Sequence, residues 1–380
     1  GSNPIGAYPG IDTVSRGENE QTVAGLSAVV PLGSTARVVL QTGYHRLRSD
    51  FVSPFGPSES SSRRWSGRAQ VDLPLASWID LSAGAELQRE RAGSTFITDD
   101  AFLPVPVKRT VAGYFTEVRA NARDRVFVTA GARVDDIHRD RFVALPEDTV
   151  VSVNPKGAVA WILNPGAAHV TRLRASASTG IRPPGGFDIA FTDNPSLRPE
   201  RSRSAEFALE QSFANGLATI EGVGFFNTFD DLIIAVGSFR ESSRYMTDNI
   251  SNARARGLEL SFTTGRRIPL RTPVDLRARI GYTFLDSEIL AVDNDDLAPP
   301  PFSVGEPLLR RPKHQLAVDL SAAAGPLTAF LSGGARSRVL DVEPSTGTFG
   351  GLYYAPGFTV WHAGASWKLP RAGELYGRIE

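Results

Sequence analysis

Residues 275–287 read DLRARIGYTFLDS, and from Asp275 to Phe284 they alternate without a break. Leu276, Ala278, Ile280, Tyr282 and Phe284 fall on one side, and Arg277, Arg279, Gly281 and Thr283 on the other. A period of two puts successive side chains on opposite faces of an extended chain, so the stretch predicts a strand with one apolar and one polar face. A helix would set its apolar residues at i, i+3, i+4 and i+7, whereas here they follow i, i+2, i+4 and i+6 from Leu276 to Phe284.

The same pattern recurs outward in both directions. WIDLSAGAELQRE (78–90) sets Ile79, Leu81, Ala83, Ala85 and Leu87 against Asp80, Ser82, Glu86 and Gln88. RVFVTAGARVDD (125–136) and TVWHAGASWKL (359–369) do likewise. About sixteen such segments fill the chain from residue 21 onward, and several exceed the roughly 5–6 residues usual for globular strands. A tilted strand of about 9–11 residues crosses a bilayer, and most of these segments are that long.

Connections alternate between short and long. PLGS (31–34), ARD (122–124) and AGP (324–326) are tight turns. FVSPFGPSESSS (51–62), STFITDDAFLPVP (94–106), FVALPEDTV (142–150), AVDNDDLAPPPFSVGEPLLR (291–310) and DVEPSTGTFGGLYY (341–354) are long and rich in Pro, Gly, Ser and Asp. Unequal rims are the sequence form of an all-β, large antiparallel up-and-down transmembrane β-barrel. Trp161, Trp361, Trp367, Tyr44, Tyr114, Tyr282 and Phe284 lie near strand ends, where interfacial aromatic girdles belong. Two packed sheets of a soluble sandwich alternate in the same way, so periodicity leaves that alternative open.

Composition narrows the function classes. The 380 residues hold 41 Lys+Arg against 41 Asp+Glu, which gives no electrostatic case for nucleic acid. There is no cysteine, which removes disulfides, thiolate metal sites and Cys nucleophiles. His45, His138, His169, His314 and His362 are single and scattered, so no metal site, no cofactor and no enzymatic role is expected. The acidic run DNDD (293–296) lacks calcium-loop spacing.

One interruption stands out. GIRPPGGFDIAFTDNPSLRPERSRSAE (180–206) breaks the alternation with prolines, glycines and arginines. Pro183 and Pro184 end a ladder because proline cannot donate to it, and Asp193-Asn194-Pro195 is turn chemistry. Arg198, Arg201 and Arg203 are placed to pair with Glu200 and Glu206.

This stretch resembles the barrel signature of TonB-dependent outer-membrane receptors, through Gly180, Arg182, Pro183, Asn194, Pro195, Leu197, Pro199, Glu200, Ser202 and Glu206. GFFNTFDDLIIAV (224–236) resembles that family's next strand, and DNISNARARGLELSF (248–262) the one after, with Asn249, Asn252, Ala253, Gly257 and Glu259 in the matching places. GYTFLDSEI (281–289), RRPKHQL (310–316) and residues 113–137 are similar in the same family.

The resemblance implies a 22-stranded barrel of which about 16 strands, roughly the sixth to the twenty-first, are present. Residues 1–380 are then expected to be one partial barrel domain, without the plug, the first strands or the closing strand. The implied function is energy-coupled import of a scarce ligand across the bacterial outer membrane. Ferric siderophore, cobalamin and oligosaccharide are the ligand classes. A passive porin-like barrel and a soluble extracellular sandwich are the alternatives. Implied partners are outer-membrane lipid, a small-molecule ligand and the TonB–ExbB–ExbD complex, engaged through the plug segment; a monomer is expected. Candidate ligand contacts are the long-loop aromatics Phe51, Phe55, Phe102, Phe302, Tyr353 and Tyr354. Arg119, Arg133, Arg174, Arg277 and Arg279 on the polar faces are candidates either for an anionic ligand or for lumen ion pairs.

Overall fold

The computed structural model describes residues 2–3, 10–11, 15–53, 56–95, 97–99, 101–141, 143, 147–184, 197–236, 246–292, 303–343, 351–371 and 373–379. A ribbon of β1 (Ser2–Asn3) and β2 (Gly10–Ile11) precedes the main strands. These begin with β3 (Arg16–Leu32), β4 (Ala36–Ser53), β5 (Gly56–Ala76), β6 (Ile79–Ser94), β7 (Val107–Ala122) and β8 (Val126–Arg139). They continue with β9 (Asp148–Ile162), β10 (Val170–Arg182), β11 (Glu200–Phe213), β12 (Ala218–Val236), β13 (Met246–Ile268) and β14 (Val274–Ala291). The last are β15 (His314–Ala324), β16 (Leu327–Arg336), β19 (Phe358–Leu369) and β20 (Gly373–Ile379), with the hairpin β17 (Val339–Glu343) and β18 (Gly351–Ala355) inserted between β16 and β19.

All sixteen main strands form one antiparallel sheet in sequence order, from β3 at one edge to β20 at the other. This is an up-and-down sheet, and the two-sheet sandwich is thereby set aside. No β3–β20 pairing occurs among the described residues.

Register shows why the strands hold together. Phe284, Tyr282, Ile280, Ala278 and Leu276 of β14 stand opposite Leu258, Leu260, Phe262, Thr264 and Arg266 of β13. On the other side they meet His314, Leu316, Val318, Leu320 and Ala322 of β15. Followed from strand to strand, this face stays apolar: Phe207 and Leu209 on β11, Trp161 and Val159 on β9, Val128 on β8, Leu40 and Tyr44 on β4. These side chains are left largely uncovered by the protein; Phe207 is 56% exposed and Val153, on the same face, 63%. A continuous apolar surface spanning sixteen strands cannot face water, and lipid is the solvent that suits it. The aromatics expected near strand ends lie on this outer face, with Tyr44 directly opposite Trp65 and Trp367 opposite Leu327.

Turns on one rim are short. In the three-residue β7–β8 turn Arg123 and Asp124 take φ of 55° and 53°, the positive torsions by which tight hairpin turns match the twist of their strands. Asn121 fixes that turn by accepting the Asp124 N–H at 2.9 Å. On the opposite rim, two stretches expected as long loops are largely strand. Within 51–62, β4 runs to Ser53 and β5 starts at Gly56. Within 341–354, parts belong to β17 and β18. The ends of β4 and β5 run past the apolar band, where neither face is apolar and alternation carries no signal, and β17–β18 is a separate hairpin that buries Val339 and Leu340.

Candidate functional site on the charged inner wall

The second face of the sheet is polar and concave. A hollow of about 680 Å³ opens on it, walled by Arg68, Gln70, Gln88, Arg109, Phe115, Glu117, Arg119, Arg133, Asp135, Asn154 and Lys156 of β5–β9 and by Ser178 and Gly180 of β10. Strand geometry puts these residues together. Every second residue of each strand faces inward, and antiparallel register sets them opposite one another.

They are joined into ladders running across strands. Asp72 accepts from Arg37 Nε at 2.8 Å, from Ser82 Oγ at 2.7 Å and from Gln70 Nε2 at 2.6 Å. Arg119 donates to Ser82 Oγ at 3.1 Å and pairs with Glu117 at 3.3 Å; Glu117 also holds Lys156. Arg133 bridges Asp135 at 2.7 Å and Glu86 at 3.1 Å, and Asn154 donates to Asp135 at 3.3 Å. Glu90, buried, takes Arg64 at 3.0 Å and also Arg109. Arg174 pairs with Glu221, and the Arg68 guanidinium sits 4.6 Å from the Phe115 ring centroid. Most of the wall's charge is thus already compensated on β4–β12. Arg277 and Arg279 differ: they face the same lumen and make no ion pair among the described residues.

Above the wall, the interrupted segment is tied down. Buried Asn249 accepts the Arg198 N–H at 2.9 Å and donates to the Arg198 carbonyl at 3.0 Å and to the Asp231 carbonyl at 2.6 Å. Asp231 takes φ of 57° and leaves the β12–β13 ladder for one step, the register being the same on either side, Asp230 opposite Asn252 and Leu232 opposite Ile250. Its carboxylate takes the Arg198 guanidinium at 2.8 Å. Glu200 accepts the Ile233 N–H at 2.6 Å and the Arg182 side chain. Leu197 is buried in a small apolar cluster with Ile97 and Val107, against which Val143 and Ile233 pack. The arginine pairing expected from the sequence is therefore revised. Arg198 pairs with Asp231, Arg203 lies 3.9 Å from Asp230, and Glu200 takes Arg182 instead. The positive φ at Asp231 brings its carboxylate within reach, which strand spacing alone does not reveal.

The remaining sequence candidates are placed as follows. Gly180, on β10, faces Ser202, and Pro183 lines the lumen hollow just beyond that strand. Pro199 immediately precedes β11, on which Glu206 stands opposite Ser176 and Phe225. Asn252 pairs with Asp230, and Glu259 stands opposite Val223 and Thr283. Gly257 lies under the Phe225 ring: a Cβ there would come within 2.7 Å of Phe225 Cζ and 2.0 Å of the Phe284 carbonyl oxygen. Of the aromatics, Phe51 is in β4 opposite Ser58, and Phe102, 85% exposed, tips the β6–β7 connection. Tyr353 and Tyr354 are in β18, with Arg338 4.5 Å from the Tyr354 ring centroid. They occupy three separate connections. Phe55, Phe302, Asn194, Pro195 and the DNDD run lie outside the described residues. The Asn249 knot and the Arg133 bridge went unnoticed as interactions in the sequence, although Asn249, Glu86 and Asp135 all stood in quoted stretches. No group of three or more His, Asp or Glu able to hold a metal occurs among the described residues.

Comparison with known proteins agrees with this architecture. The FrpB iron transporter from Neisseria meningitidis superposes with a TM-score of 0.69 at 16% identity, over 93% of this chain and 56% of its own. The copper transporter OprC gives 0.73 at 15%, over 96% and 60%. The siderophore receptor PiuA from Acinetobacter baumannii gives 0.67 at 12%, over 96% and 60%. At such identities the likeness is one of fold, and the chain spans less than two thirds of these structures' length. No curated protein sequence matches the chain. The family pattern described as TonB dependent receptor-like, beta-barrel matches residues 4–380, nearly the whole sequence, and the chain belongs to that family.

Proposed function

We propose that the chain is the barrel wall of an outer-membrane receptor that imports a scarce small molecule by coupling to TonB, with ferric siderophores as the first ligand class. One observation carries this reading: the sheet is lipid-facing on one side and a ladder of compensated charge on the other. A passive channel needs a wet lumen, but the linked carboxylate–arginine networks of β4–β9 suit an inner wall against which another polar body seats. In this reading that body is the plug, and contact with TonB–ExbB–ExbD belongs to it. Residues 1–380 supply barrel wall, working as a monomer in the bacterial outer membrane. The neighbours named for iron, copper and a siderophore point to a metal-bearing cargo, with cobalamin and oligosaccharide as the other classes. Phe51, Phe102, Tyr353 and Tyr354 are proposed as the outer lip, and Arg277 and Arg279 as lumen cations free to attract an anionic cargo.

The test is uptake of a panel of radiolabelled ferric siderophores by cells expressing the full-length receptor, with and without TonB. Accumulation that requires TonB is the expected result. Solute entry independent of TonB would make the protein a passive pore.

A further inference from the structure

Most strand-borne arginines described above have an anionic partner. Arg277 and Arg279 on the inner face do not, and neither does a larger group on the outer face. Arg46 of β4 stands directly opposite Arg63 of β5, Arg63 opposite Arg91 of β6, and Arg91 opposite Lys108 of β7. Arg89 sits on the same face, opposite Trp65 and Thr110. None of these five side chains makes an ion pair among the described residues, although Arg63, Arg89, Arg91 and Lys108 are exposed. Of the acidic groups nearby, Asp50 and Glu59 hold Arg48 at 3.0 and 3.2 Å, and Asp140, whose N–H donates to the Lys108 carbonyl at 3.1 Å, has its carboxylate 3.6 Å from His138.

Like charges directly opposed across a sheet destabilise it. With strands about 4.8 Å apart, four cations in a row span about 14 Å. The remainder of the same rim is built differently. On β11–β14 three outward cations are matched, Arg203 by Asp230, Arg254 by Glu288 and Arg256 by Asp286 at 3.0 Å, while Arg201, directly opposite Asp230, makes no ion pair among the described residues. The row on β4–β7 differs in that its cations stand directly opposite one another.

Its height fixes the occupant. The row begins one step beyond Tyr44 and Trp65, which face each other at the end of the apolar band. Aromatic residues at that level mark the membrane interface, so the cations stand at headgroup depth on the long-loop side. Arg63 and Arg91 also line a hollow of about 370 Å³ with Ser61, Ser94 and Thr95 and with Glu59, whose carboxylate is held by Arg48 at 3.2 Å. Guanidinium forks and hydroxyls converging on one hollow match phosphate oxygens.

We propose that the outer face of β4–β7 binds the phosphate groups of lipid headgroups in the leaflet on the long-loop side, with Arg63 and Arg91 as its centre. The proposal rests on the membrane-barrel reading.

The test uses the full-length receptor in neutral detergent, with phosphatidic acid in mixed micelles, phosphatidylcholine, and inorganic phosphate as probes. Native mass spectrometry reads retained lipid. The wild type should retain phosphatidic acid in preference to phosphatidylcholine. Arg63→Gln/Arg91→Gln should weaken that retention about tenfold or more, two charge-assisted contacts being lost. Arg256→Gln, on the same face but ion-paired, should leave it unchanged. Without lipid, the double variant should melt at or above the wild-type temperature, because repulsion has been removed. Equal retention by the double variant overturns the proposal, and so does inorganic phosphate competing as well as phosphatidic acid. Flotation with phosphatidylcholine vesicles separates the two readings. A receptor that floats but shows no phosphatidic acid preference defeats the belt alone; one that does not float defeats the barrel reading as well.

Discussion

Asn249 and Arg198, far apart in sequence, are joined by a closed pair of amide hydrogen bonds: the Asn249 side chain accepts the Arg198 N–H at 2.9 Å and donates to its carbonyl at 3.0 Å. The pair anchors the chain where it re-enters β11 and holds the Asp231 carbonyl through a third bond. Asn249→Ala would strand these backbone groups in a buried site, at a cost of about 1–3 kcal/mol. The unfolding temperature, read from the heat-modifiable band of the barrel, should fall. Asn249→Asp keeps the acceptor but loses the donor, and should fall less.

Gly257 tests the inner wall. A side chain there meets the Phe284 carbonyl at 2.0 Å, and backbone cannot step aside cheaply. Gly257→Ala should therefore lower stability by about 1–3 kcal/mol through overpacking. Gly281, where an added Cβ meets nothing within 4 Å, is the comparison. Gly281→Ala should change stability by less than about 0.5 kcal/mol. Equal effects would mean that Phe225 does not hold its place over Gly257.

Arg133 is the centre of a shared network, so its removal should be costlier than that of either acid alone. Arg133→Met leaves Glu86 and Asp135 without their common cation, and such loss of one partner typically costs about 3–5 kcal/mol when the site is dry. Partial lumen exposure reduces that figure. In a double-mutant cycle, Arg133→Met with Asp135→Asn should show coupling above about 0.5 kcal/mol. Additive effects would show that the bridge contributes nothing.

Glu200 should behave as a structural residue. Glu200→Gln keeps an acceptor for the Ile233 N–H and loses the charge that holds Arg182. Uptake by the full-length receptor should survive this change, while heat resistance of the barrel drops. Loss of cargo binding with unchanged heat resistance would instead make the motif part of the ligand site.

How much of this was legible in the sequence follows from where the strands run. Val107–Ala122 is bounded in the structure as the alternation bounds it, because lipid on one side and a polar wall on the other enforce period two along its length. Ser58–Ser62 of β5 gave no such signal, since neither face there is apolar. The pairing of Gly257 with Phe225 and of Arg133 with Glu86 depends on register, which turns and bulges set and composition does not. Asp231 shows the limit clearly. A single positive φ redirects its carboxylate to Arg198, away from the ladder that spacing implies.

The central claim is that one face of each strand meets lipid and the other meets water. The chain has no cysteine, so single cysteines can be introduced one at a time without background. Along β13, the substitutions Leu258→Cys, Glu259→Cys, Leu260→Cys and Ser261→Cys span two residues of each face. In membranes, a water-soluble maleimide should label positions 259 and 261 and spare 258 and 260. A lipid-borne quencher should act on 258 and 260 only. Uniform labelling of all four, or labelling of 258 and 260 alone, would contradict the two-faced wall.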